Sequence, residues 1–170
     1  MERGINRLLV KAGEGDVSAL EALYRELGDG VYGYALSILS DKSAAEDMLQ
    51  DTFVHVFTMA HTYTPGRSGR AWVYAIAKNL CLDRLRTVKH SVPLPEDGGE
   101  ADIAAMDFIS DVELKDALAK LDGDSRRIVL LHLAAGLKFR EIAALHGEKQ
   151  SKVEWVYYSA VRQLSSYYIV

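Results

Sequence analysis

Apolar residues recur along the chain at the three- and four-residue spacing of helices, and no segment alternates as a strand would. Residues 16–39 show this rhythm on both sides of a predicted break at Gly28–Gly30. A capping box formed by Ser43 and Glu46 predicts a second helix, from Ser43 to about Ala60. Its apolar face comprises Leu49, Phe53, Val56, Phe57 and Ala60.

A loop at residues 64–69, with the sequence TPGRSG, separates this helix from a third, predicted from about Arg70 to Arg86. The third helix is expected to bury Trp72, Val73, Ile76 and Leu80. The periodicity then disappears until about Ser110, and the sequence SVPLPEDGGEAD predicts a flexible acidic linker. Helical rhythm returns in segments 112–121, 125–135, 139–145 and 149–164.

These elements predict an all-α fold with two small helical domains, residues 1–88 and 112–170, joined by a flexible acidic linker at residues 89–111. The net charge of −4 argues at first against a nucleic-acid partner. However, residues 61–90 carry six basic side chains against one acid, whereas residues 91–120 carry two lysines against eight acids. Because local potential governs attraction to phosphates, the basic block remains compatible with nucleic-acid binding.

Several classes of protein are disfavoured by what the sequence lacks. The single cysteine, Cys81, rules out an intramolecular disulfide and a multi-cysteine metal site, and its apolar neighbours predict a buried, inert thiol. No signal peptide and no membrane-length apolar run is present, so we expect a cytoplasmic protein without membrane insertion. The histidines are scattered, and no nucleophile–base pair or glycine-rich phosphate loop is present. We therefore expect neither an enzyme nor a bound metal or cofactor.

Two surfaces of the first predicted domain could carry a function. Opposite its apolar side, the helix at 43–60 carries Asp47, Gln50, Asp51 and Val54, and taken alone this is better explained as a solvated face with acids favourably placed near a helix N-terminus than as a binding surface. The helix at 70–86 combines basic and aromatic residues, as single-stranded nucleic acid requires. The alternative is a core helix with cations near its C-terminal dipole.

The second predicted domain ends in a candidate helix–turn–helix, LKFREIAALHGEKQSKVEWVYYSAVRQL. The inner face of its first helix comprises Phe139, Ile142, Ala143 and Leu145. That of its second helix comprises Val153, Tyr157, Ala160 and Leu164. The spacing is typical of a module whose second helix enters the major groove of DNA, although paired helices of this kind are common in other proteins.

In this order, the elements resemble the two conserved regions, called 2 and 4, of sigma factors of the extracytoplasmic-function (ECF) type. The strings AEDMLQDTF and RAWVYAIAKNLCLDRLR carry the resemblance to region 2. The block LKDALAKLDGDSRRIVLLHLAAGLKFREIAALHG carries the resemblance to region 4. The resemblance implies an all-helical protein that directs RNA polymerase to promoters. Its expected partners are core RNA polymerase, promoter DNA and an anti-sigma factor.

The resemblance also implies roles for individual residues. The residues that fall where the family docks on the polymerase clamp are Asp47, Leu49, Gln50, Asp51 and Phe53. Those that fall where the family opens the minus-ten element are Tyr63, Arg67, Arg70, Tyr74, Lys78, Asn79 and Arg86. Those that would read the minus-thirty-five element or contact a partner are Lys138, Arg140, Ser151, Lys152, Trp155, Tyr158 and Arg162.

The last helix departs from the family pattern, which usually places several Lys and Arg on its exposed face. Here that face offers Lys152 and Arg162, with Glu154 at its edge and an aromatic pair, Trp155 and Tyr158. The pair suggests a protein contact, unless the C-terminal tail or the other domain covers it. A sigma-like regulatory protein is therefore the alternative, binding polymerase or an anti-sigma factor as decoy, co-sigma or negative effector. A helix–turn–helix repressor is a more distant one.

Overall fold

The computed structural model describes residues 2–89 and 109–168. Within those ranges the chain forms helices and no strand, which confirms the predicted all-α fold class. None of these helices combines the length and the apolar character needed to cross a membrane. In chain order they are α1 Glu2–Gly13, α2 Val17–Leu39, α3 Lys42–Met59, a 3₁₀ helix Ala60–Thr62, α4 Gly69–Lys89, α5 Val112–Ala119, α6 Gly123–Leu133, α7 Phe139–His146 and α8 Gln150–Tyr168.

The first half differs from the sequence predictions at three places. α1 lies outside the predicted helices and buries Ile5, Leu9 and Ala12. The predicted break at Gly28–Gly30 is wrong, because α2 continues through it. The predicted capping box at Ser43 is also wrong. The N-cap of α3 is Asp41, whose carboxylate accepts a hydrogen bond from the backbone N–H of Ala44 at 2.6 Å.

Gly30 remains within a helix, despite its low helix propensity, because a neighbouring helix approaches it closely. A side chain at this position would collide with the hydroxyl oxygen of Tyr74 on α4. The glycine therefore permits close contact between α2 and α4 and does not end the helix.

In the second half, the four helices agree with the predicted segments to within a few residues. The side chain of Glu141 accepts a hydrogen bond from the backbone N–H of Lys138 at 2.8 Å and so closes the N-terminus of α7. Gly147 ends α7 in the left-handed conformation, with φ of 68°. The predicted flexible linker at residues 89–111 lies mostly outside the described residues.

Apolar side chains from both halves share one interior. One buried cluster joins α2 and α4 to α6 and α7, through Val31, Tyr34, Tyr74, Ala77, Ile128, Leu131, Ala135 and Ile142. A second joins α2 and α4 to α5, α6 and α8, through Leu36, Cys81, Leu118, Leu130, Ala160 and Leu164. Burial raises the pKa of the Cys81 thiol to about 12, as expected for an inert core cysteine. We call this packing of one half on the other the closed arrangement.

Polar contacts also join the two halves. The guanidinium of Arg70, on α4, donates a hydrogen bond through Nη1 to the backbone carbonyl of Ala135 at 2.9 Å. Lys78 lies eight residues after Arg70 on α4. Its ammonium group donates to the carbonyl of Leu145 near the C-terminus of α7. A cation at that end of a helix is favoured by the helix dipole. Two basic residues of the first half therefore hold the second half in place.

Candidate nucleic-acid and protein interfaces

The polar face of α3 is exposed, as its helical spacing predicts. Asp47, Gln50 and Asp51 all reach solvent, and Val54 beside them is 62% exposed. Thr52 points the other way, is fully buried, and donates its hydroxyl to the carbonyl of Met48 at 2.6 Å. The arrangement is an exposed, mostly acidic surface on a helix that is anchored along its opposite side. The assignment of this surface to polymerase remains a prediction.

The two apolar residues predicted to bind polymerase lie on a different face of α3. Leu49 is half-buried and Phe53 is only 4% exposed, as expected from their place on the predicted apolar face, and their contact with polymerase stays a prediction. The ring of Phe53 packs edge-on against Tyr24 of α2, with ring centroids 4.9 Å apart. Leu49, Phe53 and Tyr24 line a groove between α2 and α3, next to the acidic face. Tyr24 is 45% exposed there.

The loop before α4 contains a tight turn that presents Arg67 to solvent. The backbone N–H of Arg67 donates to the carbonyl of Thr64 at 3.3 Å, and Gly66 has φ of 95°. Pro65 followed by a glycine with positive φ is the sequence that a type II turn requires. The hydroxyl of Tyr63 then donates to the carbonyl of Arg67 at 2.6 Å, which fixes the far side of the turn.

Three of the residues predicted to contact the minus-ten element are buried in the closed arrangement, and their contact with DNA stays a prediction. Tyr63 is 6% exposed because its ring packs against Trp72 and its hydroxyl is used within the loop. Arg70 is 7% exposed because it binds Ala135 and pairs with Glu26 at 3.3 Å. Tyr74 is fully buried in the shared interior, and that burial raises the pKa of its phenol.

The remaining predicted minus-ten residues are accessible to different degrees. Lys78 is half-buried, since its ammonium group contacts the end of α7. Asn79 is exposed, and Arg86 is exposed while pairing with Asp83 at 2.8 Å. A pair between two solvated side chains is weak, so it leaves Arg86 available to phosphate. Among the predicted burials on α4, Val73 is buried as expected, but Trp72, Ile76 and Leu80 are only half-buried.

All seven predicted residues of the second half are exposed in the closed arrangement. Trp155 is 70% exposed and Tyr158 is 59% exposed, so no described part of the chain covers this aromatic pair. Behind it lie the stacked rings of His132 and Phe139, whose centroids are 4.2 Å apart. Lys152, on the same helix, forms an ion pair with Glu148 at 2.6 Å. The surface is more aromatic than basic.

The closed arrangement brings the two predicted DNA-binding surfaces together. Arg67 of the turn and Arg140 of α7 line the same groove, with Glu141 beside them. Small side chains form the floor of this groove, namely Ala71, Ala75 and Ala144. Residues that would read separate DNA elements therefore face one another across a few side chains.

A second depression, a cavity of about 240 Å³, lies where α2 and α4 meet α6 and α8. Its lining includes Lys78, Arg127 and His146, and the carboxylates of Asp124 and Glu148. Burial, followed by the charges of Arg127 and Lys78, lowers the pKa of His146, while the two carboxylates act in the opposite direction. His146 is therefore held neutral at the junction of the two halves.

Comparison with known proteins agrees with these features. The family model described as Sigma-70 region 2 matches residues 23–90, which include α3, the turn and α4. The RNA polymerase sigma factor CarQ of Myxococcus xanthus is 34% identical over 140 residues, covering 79% of this chain and 80% of CarQ. The ECF RNA polymerase sigma factor SigM of Bacillus subtilis is 25% identical, covering 88% of this chain and 94% of SigM. The chain spans 63% of the length of the ECF RNA polymerase sigma factor BldN of Streptomyces coelicolor, at 28% identity.

Solved structures show the same fold. CnrH, in its complex with the cytosolic domain of CnrY, matches with a TM-score of 0.64 and 25% identity, covering 96% of each chain. The sigma factor RpoE of Bartonella quintana, in complex with the anti-sigma factor NepR, matches with a TM-score of 0.63 and 20% identity, covering 88% of this chain and 96% of RpoE. The all-helical fold, the matched region and the relatives agree, and the chain belongs to the ECF family of RNA polymerase sigma factors, which direct RNA polymerase to promoters.

Proposed function

We propose that this sigma factor docks on core RNA polymerase through the acidic face of α3 and captures the minus-ten element with the Arg67 turn and α4. The observation that supports it best is the region 2 match over residues 23–90, because that stretch holds both surfaces. We further propose that the protein acts in the cytoplasm, where its polymerase works, and that it is not an enzyme.

The acidic face suits a basic protein partner. Asp47 and Asp51 are exposed one helical turn apart. Val54, exposed beside them, adds an apolar side chain to the same surface. The neighbouring groove with Tyr24 and Leu49 extends the same surface with apolar area that a partner side chain could fill. Apolar area bordered by charge is the usual composition of a protein interface.

The Arg67 turn and α4 suit an unpaired strand. Arg67, Asn79 and Arg86 are exposed and can reach phosphates or base edges, and Trp72 is half-buried at the start of α4. Charges that follow the backbone and rings on which bases stack are the two components of single-strand binding. Lys78 can join them once its contact with Leu145 is released.

Promoter binding requires the closed arrangement to open. The minus-ten and minus-thirty-five elements are about 25 base pairs apart, or roughly 85 Å along B-DNA. Arg67 and Arg140, which belong to the two predicted reading surfaces, line a single groove in the closed arrangement. One chain cannot contact both elements in this form, so we propose that polymerase separates the two halves and binds the opened chain.

For the α8 surface, the exposed aromatic pair favours a protein partner over direct minus-thirty-five reading. Trp155 and Tyr158 have the exposure and residue types of interface anchors, whereas the nearby Lys152 is already paired with Glu148. RpoE, which shares the fold, was solved with an anti-sigma factor. We propose that an anti-sigma factor or polymerase itself binds here.

Reconstituted transcription tests the proposal. Core polymerase with this chain is incubated with a library of duplexes carrying a randomised upstream region, and the transcripts are sequenced. The proposal predicts that active templates share a common sequence about ten base pairs upstream of the start. Binding to core without any selected transcript would instead identify the chain as a decoy or negative effector. A shared minus-ten sequence without a minus-thirty-five sequence would support a protein role for α8.

A further inference from the structure

Helix α1, which the sequence predictions missed, spans the segment that carries the Arg67 turn. At one end, Gly13 packs against the backbone of Ala60, and a Cβ on Gly13 would lie 2.9 Å from the Ala60 carbonyl oxygen. At the other end, the side-chain oxygen of Asn6 accepts a hydrogen bond from the backbone N–H of Gly69 at 2.9 Å. α1 therefore contacts both ends of the stretch between α3 and α4.

The Asn6 side chain provides an acceptor for a backbone N–H at the start of α4. Gly69 is the first residue of α4, and the N–H groups of a helix's first turn have no partner within the helix. The side chain of Asn6 supplies one from another helix, 63 residues away in sequence. A Cβ on Gly69 would lie 2.7 Å from both the Asn6 oxygen and a methyl carbon of Leu9, so only glycine allows α1 to come this close.

The turn itself is fixed on its other sides by local bonds. The N–H and the carbonyl of Arg67 are held by Thr64 and Tyr63, and the hydroxyl of Ser68 accepts from the N–H of Ala71 at 3.2 Å. These bonds determine the shape of the turn, and the buried ring of Tyr63 ties one side of it to the core. Asn6 joins the turn and the start of α4 to α1, which is itself anchored in the core through Ile5 and Leu9.

We infer that Asn6 is a positioning residue for minus-ten recognition, acting through Gly69 to hold the Arg67 turn in one orientation. The inference rests on the proposed function of the turn and adds a specificity role to it. Contacts to phosphate do not depend on sequence, whereas base readout requires a fixed geometry. Loosening the turn should therefore reduce discrimination between sequences more than it reduces affinity for nucleic acid in general.

The test compares full-length variants bound to core RNA polymerase. A single-stranded oligonucleotide is first selected by the wild-type holoenzyme from a randomised pool, and its scrambled version serves as the nonspecific probe. Asn6→Ala removes the acceptor, Asn6→Asp retains it, and Asn6→Gln displaces it while keeping the amide. Val10→Ala, on the exposed side of α1, is the matched control. Affinities for both probes are measured by fluorescence anisotropy, and melting temperatures are recorded in parallel.

For Asn6→Ala, the ratio of specific to nonspecific affinity should fall by about threefold to tenfold, which corresponds to one hydrogen bond. Asn6→Asp should restore the ratio, Asn6→Gln should lower it by a smaller factor, and Val10→Ala should leave it unchanged. A merely structural role would lower the melting temperature, or both affinities together, without changing the ratio. An unchanged ratio in both Asn6→Ala and Asn6→Gln overturns the inference alone. If the wild-type holoenzyme selects no sequence, the proposed function of the turn fails and the inference fails with it.

Discussion

The hydroxyl group of Tyr74 provides a direct test of the shared interior. It is buried where α4 meets α2, and no hydrogen-bond partner for it lies within residues 2–89 and 109–168. Burial raises the pKa of this phenol, so the group keeps its proton and has no acceptor for it. Replacing Tyr74 with Phe removes the hydroxyl and keeps the ring, whose centroid lies 5.7 Å from that of Tyr34. We therefore expect Tyr74→Phe to stabilise the protein.

The size of the gain follows from the cost of the buried group. A polar group buried without a partner costs about 1–3 kcal/mol, and the remaining ring still fills the same space. We expect the free energy of unfolding to increase by about 1–2 kcal/mol. For a chain of this length, each kcal/mol shifts the melting temperature by about 2–4 °C, so a rise of roughly 2–8 °C is expected.

The same chemical change at Tyr63 supplies the matched comparison. The hydroxyl of Tyr63 donates to the carbonyl of Arg67 at 2.6 Å, so Tyr63→Phe removes a hydrogen bond and leaves that carbonyl without this donor. We expect a loss of about 0.5–1.5 kcal/mol and a lower melting temperature. Thermal unfolding followed by circular dichroism and urea titration measures both variants. If Tyr74→Phe lowers stability, or if both variants shift it in the same direction, the assignment of a satisfied and an unsatisfied hydroxyl is refuted.

Three further predictions follow from the interfaces. Asp51→Arg should weaken binding to core polymerase at least tenfold, about 1.4 kcal/mol, in a fluorescence titration. Glu113→Arg on α5 should leave that affinity unchanged. Equal affinities of the two variants for core polymerase would show that the acidic face is not part of the interface. Trp155→Ala should weaken partner capture more than Lys152→Ala weakens promoter binding, and the reverse order would show that α8 reads DNA in the family's usual way. Because burial lowers the pKa of His146, protons bind the unfolded chain more readily, so the free energy of unfolding should fall as the pH drops below about 6.5. His146→Asn should reduce that fall, as measured by urea titration at several pH values, and an identical pH profile would contradict the buried neutral histidine.

Much of the fold was predictable because most helices are long and strongly periodic. α3, α4 and the four helices of the second half follow from apolar spacing alone. α1 has the same spacing at Ile5, Leu9 and Ala12 and was predictable from it, although the sequence predictions did not assign it. Gly28–Gly30 was misleading because glycine is both a helix breaker and the residue that allows close helix contact.

The candidate site was predictable where exposure depends only on the local helix. Asp47, Gln50 and Asp51 are exposed because the opposite side of α3 carries the apolar residues. The burial of Arg70 and Tyr74 could not be predicted in this way, since it depends on residues of the other half. Arg70 bonds to a carbonyl 65 positions away, and no pattern within α4 contains that information. The long-range packing of the two halves therefore accounts for the burial of Arg70 and Tyr74.

The contacts of Arg70 and Lys78 also affect how the free protein distributes itself in a cell. A genome offers about 10⁶–10⁹ nonspecific sites, and attraction to them grows with the number of phosphates that a protein can neutralise. Arg70 is 7% exposed, and the Lys78 ammonium group is bound to a backbone carbonyl, so the free chain presents fewer cations than its sequence contains. We therefore expect the closed chain to bind nonspecific DNA more weakly than the opened chain does.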